Sequence, residues 1–85
     1  MSSRAHKKVV IDLRAIGRRI REIRGFDLTQ QEFAQQLGIG QTQLSKYENG
    51  QSAPTVELLL QLRALSGRTI DWILTGEGAE SGGSR

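Results

Sequence analysis

Eighty-five residues, 36% of them hydrophobic, 5% aromatic and none of them cysteine, leave room for one small domain and for neither a disulfide frame nor a thiolate metal site. No apolar run approaches the roughly 18 residues of a membrane span, and the basic N-terminus has no apolar stretch behind it to act as a secretory signal, so a soluble, cytoplasmic protein is expected. The net charge of +3 is unevenly spread: residues 1–24 carry eight basic against two acidic side chains, and residues 25–85 four against seven, which by itself fits either a polyanion partner on one side of the molecule or a solvated helix face.

Residues 1–8 are polar and basic, and read either as a flexible arm that follows a polyanion or as a frayed end. From Val9 the pattern turns helical, with Leu13, Ile16, Ile20 and Ile23 recurring at three- and four-residue steps and Arg18, Arg19, Arg21 and Glu22 largely off that stripe. No clear cap precedes the β-branched Val9, Val10 and Ile11, so the start of this first helix is open. Gly17 lies inside it, where glycine costs about 1 kcal/mol relative to alanine, and close approach by another helix would explain its presence. Arg24 falls four residues past Ile20, near the buried stripe, where a guanidinium needs a partner.

After a short link over residues 25–28, Thr29 and Glu32 have the spacing of a capping box, and Leu28 and Phe33 that of a hydrophobic staple. This second helix should stop at Gly38, a residue free to take positive φ. Ile39 and Gly40 then carry the chain to a third helix that opens at Gln41 and ends at Asn49 and Gly50. Ala34 is small where two helices must cross closely, and Leu44 is the apolar residue facing back into the corner. Two short helices joined by a glycine-containing turn form a helix-turn-helix.

The run LTQQEFAQQLGIGQTQLSKYENG, with Ala34, Gly38 and Leu44 in place, resembles the Cro/C1-type, phage repressor-like helix-turn-helix family. The likeness extends from about Ile16 to Gly78 and includes TIDWILTGEG. The link before the second helix is shorter than the family's commoner form. The resemblance implies an all-α, compact five-helix, lambda-repressor-like domain and an ion pair between Arg24 and Glu48. Such a buried pair orients a helix more than it stabilises one. The resemblance also implies double-stranded DNA as the partner of the third helix.

At the leading edge of such a helix Gln41, Thr42 and Lys46, with Gln43 as a weaker candidate, are the side chains for base edges: Gln suits adenine, Thr a thymine methyl, Lys guanine acceptors. The family's backbone-contacting glutamine matches Gln30, beside Gln31 at a helix N-terminus whose free N–H groups suit phosphate. Asn49 and the loop after it match a second backbone contact. Tyr47 either gives its hydroxyl to a phosphate or covers the core, and Arg18 and Arg19 are more distant phosphate candidates.

Pro54 ends any continuation of the third helix and Thr55 caps a fourth, in which Val56, Leu59, Leu60, Leu62 and Leu65 are expected to form the floor of the core. Ser66 and Gly67 stop it. Thr69 caps a short fifth helix with Ile70, Ile73 and Leu74 apolar, and Gly76 ends it. Trp72 serves packing or dimer contact rather than a ligand, and a homodimer through Trp72, Ile73 and Leu74 is expected because one such domain buries a modest interface on DNA. The domain should occupy residues 9–77 and a disordered tail residues 78–85.

Catalysis has nowhere to sit. The one histidine, His6, is in the arm, and there is no cysteine nucleophile, carboxylate cluster with metal spacing or phosphate-binding glycine loop, so neither an enzyme nor a cofactor, metal or small-molecule ligand is expected. The expected function is a DNA-binding transcriptional regulator of the repressor kind. The alternative is a protein-interaction module, an antitoxin or co-regulator built on the same helices.

Overall fold

The computed structural model of the protein describes residues 9–78; the expected basic arm, residues 1–8, and residues 79–85 of the expected tail lie outside the described residues. The described chain forms five helices in the order α1 (Leu13–Arg24), α2 (Gln30–Leu37), α3 (Gln41–Glu48), α4 (Val56–Ser66) and α5 (Ile70–Thr75). Four of them begin on a side-chain cap: Asp12, Thr29, Thr55 and Thr69 each accept the N–H of the residue three places on. At Thr29 the box is complete, with the Thr29 N–H donating to Glu32 Oε1 at 2.9 Å and the Glu32 N–H donating to Thr29 Oγ1 at 3.1 Å.

The open start of the first helix is settled by Asp12, whose Oδ1 accepts the Ala15 N–H at 3.1 Å. Val9, Val10 and Ile11 precede that cap in non-helical backbone and stay exposed. Their stiff side chains disfavour a helix, and no neighbouring surface covers them to outweigh that preference.

The corner between α2 and α3 depends on Gly38, which sits at φ 75°, ψ 27° and lets its N–H and that of Ile39 turn back onto the last carbonyls of α2. Phe33, Ala34 and Leu37 from α2 and Leu44 and Tyr47 from α3 then point into one core. Ile16 and Ile20 from α1 close it on one side, and Leu58, Leu59, Leu62 and Ile73 from α4 and α5 on the other. Leu28 packs against the edge of that cluster, next to the helix entrance it was expected to cover.

α4 is rotated from the expected phase. Leu58, Leu59 and Leu62 are its inward residues, whereas Val56 is 72% exposed, Leu60 44% and Leu65 48%. Six valine and leucine residues among eleven offer more than one possible stripe, and the Thr55 cap together with the α5 contact selects one of them. Among the described residues no helix is long and apolar enough to cross a membrane.

Candidate nucleic-acid interface

Helical periodicity divides α3 into two faces. Leu44, Tyr47 and Glu48 are buried, while Gln41, Thr42, Gln43 and Lys46 are exposed, with Asn49 exposed at the C-cap. The side chains expected to read bases therefore stand free on the surface, and the rest of the helix is held from behind. α3 begins without a side-chain cap at Gly40, so the N–H groups of its first turn are open to an incoming acceptor.

The hold on α3 comes largely from α1. Gly17 lies against the last turn of α3, where an added Cβ would sit 2.6 Å from the Tyr47 carbonyl oxygen and closer still to that of Glu48. Only a residue with no side chain allows this approach. Beside it, Arg21 Nη2 donates to the Glu48 carbonyl oxygen at 3.3 Å.

The Glu48 side chain is 1% exposed. Arg24 donates to it twice, Nε to Oε2 at 2.9 Å and Nη2 to Oε1 at 3.0 Å, and gives a third bond, from Nη1 to the Leu28 carbonyl at 3.2 Å. This fork-to-fork pair is shielded from water and geometrically specific. Gln30 Nε2 also donates to Glu48 Oε1, at 3.0 Å, and Gln41 Nε2 donates to Gln30 Oε1 at 3.4 Å. One carboxylate thus ties the end of α1, the start of α2 and both ends of α3 together. Among the described residues no buried side-chain nitrogen or oxygen lacks a hydrogen-bond partner.

Several other side chains take places that spacing alone did not reveal. Tyr47, expected either to give its hydroxyl to a phosphate or to cover the core, is 6% exposed and packs in the core. Gln31 is exposed on the first turn of α2. Arg18 is exposed and shares a groove with Arg14, Arg21, Glu48, Asn49 and Gln51. Arg19 leaves that face and donates from Nη1 to the Ile73 carbonyl at 3.2 Å, where the negative end of α5 accounts for its position.

Arg14 and Arg21 were missed as candidate phosphate contacts. The available signal was their 14, 18, 21 spacing, which lies on one helix face, whereas the neighbours Arg18 and Arg19 point about 100° apart. Of the residues expected at a dimer contact, Ile73 is fully buried in the core and cannot meet a second copy without opening it. Leu74 is 37% exposed, and Trp72 is half-buried beneath the Arg68 guanidinium, 3.9 Å from the ring centroid.

Two short helices across a glycine corner, the second clamped from behind and bare in front, define the architecture of a helix-turn-helix protein. A helix-turn-helix family model (HTH_3) matches residues 18–73, and the chain belongs to this family, of the Cro/C1 or XRE type. It is 40% identical over 53 residues to the HTH-type transcriptional activator BcrR of Enterococcus faecalis, covering 62% of this chain and 26% of that protein. It is 49% identical over 45 residues to the antitoxin PezA of Streptococcus pneumoniae serotype 4, covering 52% of this chain and 28% of the relative. The chain thus matches only about a quarter of the length of these two proteins. Its fold is similar to that of the P22 c2 repressor in complex with synthetic operator 9T, with a TM-score of 0.66 and 27% identity across 73% of this chain and 96% of the repressor chain.

Proposed function

We propose that the protein is a sequence-specific, DNA-binding transcriptional regulator that reads an operator half-site by placing α3 in the major groove. The observation that carries this is the two-faced α3: Gln41, Thr42, Gln43 and Lys46 are exposed together on a helix whose other face is locked into the core. Similarity to a repressor solved on its operator supports the same docking. Base contacts come from Gln41, Thr42 and Lys46, with Gln43 at the margin.

Phosphates flank that helix on two sides. Gln31 and the second N–H of Gln30 take one strand at the N-terminus of α2. Asn49 takes the other, together with Arg14, Arg18 and Arg21, which line the groove beside it. Tyr47 and Arg19 contribute to the interface through the positions of α3 and α5 rather than by direct contact.

The regulator acts in the cytoplasm as a binding protein without catalysis, a cofactor or a small-molecule ligand. It works as a homodimer on half-sites about 34 Å apart, because one module buries too little surface for useful specificity. Leu74 and the open edge of Trp72 supply the contact expected of α5. Repression follows if the operator overlaps a promoter; similarity to a transcriptional activator supports a module that can serve activation as well.

A second reading, binding of a protein partner, is favoured by the similarity to an antitoxin and by exposed Val56, Leu60 and Leu65 on α4. Selection from a random duplex pool, followed by titration of the recovered site at two salt concentrations, separates them. Operator binding yields a near-palindromic site whose affinity falls steeply with salt, and Gln41→Ala or Lys46→Ala weakens it by about 1 to 3 kcal/mol with little change on random DNA. Recovery of no motif, or equal loss on both duplexes, rejects base reading.

A further inference from the structure

We infer that the outward face of α4 is a surface for a second copy of this chain, paired antiparallel about Leu60, and that two copies joined there each keep α3 open to DNA. This contact is separate from the one expected of α5. The pairing does not depend on the function proposed above; the joining of two DNA-bound copies does.

α4 carries two apolar rows. Leu58, Leu59 and Leu62 fill the core, while Val56, Leu60 and Ala64, at four-residue steps, form an exposed ridge on the other side of the helix. Apolar side chains scattered singly over a surface are ordinary, but a ridge along a helix is the shape that packs against another helix.

The charges beside the ridge identify that other helix. Glu57 and Arg63 stand three residues before and three residues after Leu60, and both are exposed. Among the described residues neither enters an ion pair within the chain. An antiparallel two-fold through Leu60 sets each residue level with the one equally far beyond Leu60 in the second copy. Glu57 then lies level with Arg63 of the second copy, and Val56 with Ala64, so an acid meets a base and a larger side chain meets a smaller one, and each match occurs twice. Parallel pairing would instead set Glu57 against Glu57 and Arg63 against Arg63. The face is therefore complementary to itself, in one orientation.

α4 packs against α1, α2 and α5, and the core lies between it and α3. A copy docked on the ridge leaves Gln41, Thr42 and Lys46 uncovered, so copies held on separate duplexes can meet through α4. One pair of helices buries less than the roughly 1,200 Å² of a stable interface, so the contact is weak in dilute solution and gains from the high local concentration that DNA provides.

The chain has no cysteine, so a single introduced thiol reports what lies beside it. Leu60→Cys puts that thiol on the two-fold axis. Oxidation of the full chain is expected to give a covalent dimer at least about five-fold faster than in Leu65→Cys, which is exposed on the same helix but off the ridge. Adding Glu57→Arg or Arg63→Glu to Leu60→Cys sets like charges level and is expected to slow the reaction at least about three-fold. Mixing those two charge variants restores opposite charges across the pair, and the rate is expected to return with the mixed dimer as main product. All four positions are exposed, so the fold does not rest on them. Equal rates for Leu60→Cys and Leu65→Cys overturn the pairing, as does a rate that ignores the charge changes or a mixture no faster than its components.

On DNA, wild type bound to an immobilised duplex carrying its selected site is expected to capture a second such duplex, and Leu60→Glu to cut that capture at least about three-fold while affinity for a single duplex is kept. No capture by wild type, or capture unchanged by Leu60→Glu, overturns the joining and leaves the proposed function standing. Selection that yields no site removes the proposed function and the joining together, and the thiol rates then decide the pairing alone.

Discussion

The half of the molecule made by α1, α2 and α3 and the half made by α4 and α5 are held by different kinds of force. In the first, the contacts with defined direction are concentrated: the Arg24–Glu48 fork, the Gln30 bond, the Arg21 bond and the bare Gly17 approach all converge on α3. In the second, Leu58, Leu59, Leu62 and Ile73 fill the core, and Val56, Leu60, Leu65 and Leu74 remain outside. Apolar burial is roughly proportional to area and has little directional preference. It keeps a helix attached but leaves some freedom to turn about its axis. A helix that must offer Gln41, Thr42 and Lys46 to base edges needs its rotation set, and bonds with fixed geometry do that.

The largest effect should come from the apolar half. Leu62 has no exposure, and Leu62→Ala should lower stability by about 2 to 5 kcal/mol in urea unfolding, with DNA affinity falling only as far as the folded fraction does. Loss of base preference in the protein that remains folded would show that the two halves are not separable in this way.

Next comes the ion pair. Arg24→Ala strands a buried carboxylate and should cost about 3 kcal/mol, the lower end of the usual range because Arg21 Nε lies 3.8 Å from Glu48 Oε1. The double variant Arg24→Met, Glu48→Leu should recover most of that stability while failing to recover base preference, since apolar side chains fill the space without directing Gln30. A double variant as unstable as the single one would make the pair a stabiliser first and an orienting device second.

Gly17→Ala is smaller and more diagnostic. The added methyl meets backbone carbonyls of α3, 2.6 Å from that of Tyr47 and nearer still to that of Glu48, and should cost about 1 to 3 kcal/mol net of the roughly 1 kcal/mol that alanine gains in a helix. Because it moves α3 as a body, specific binding should suffer more than binding to random DNA. A stabilised protein with an unchanged site would show that α1 can slide without disturbing α3.

The smallest change in stability is expected at the exposed end of the other half. Leu74→Glu should alter unfolding by no more than about 0.5 kcal/mol, yet shift sedimentation toward the monomer and weaken binding to a two-half-site operator more than to a single half-site. Unchanged association would move the dimer contact off α5.

Legibility in the sequence followed the same division. Thr29, Glu32 and Gly38 act within a few residues of one another, and their roles as cap and corner could be read directly. Arg24 could be seen to need a partner, although the partner's identity came from family resemblance and not from spacing. The rotation of α4 was misread because its six valine and leucine residues allow several stripes, and the burial of Ile73 and the turn of Arg19 toward α5 depend on how the fifth helix lies across the first. The start of the first helix stayed open because Val9, Val10 and Ile11 have no clear cap before them, and the structure places the cap after them, at Asp12.

What the chain's order of residues determined by itself was therefore the set of helices with their local stops, and the polar leading edge of α3, because capping and periodicity act over one to three turns. Tertiary contact alone decided which leucines of α4 face inward, that Gly17 admits the α3 carbonyls, and that Glu48, Gln30 and Gln41 form one directed chain. Each of those depends on atoms brought together from separate helices, and a hydrogen bond or a clash exists only once their distance is set.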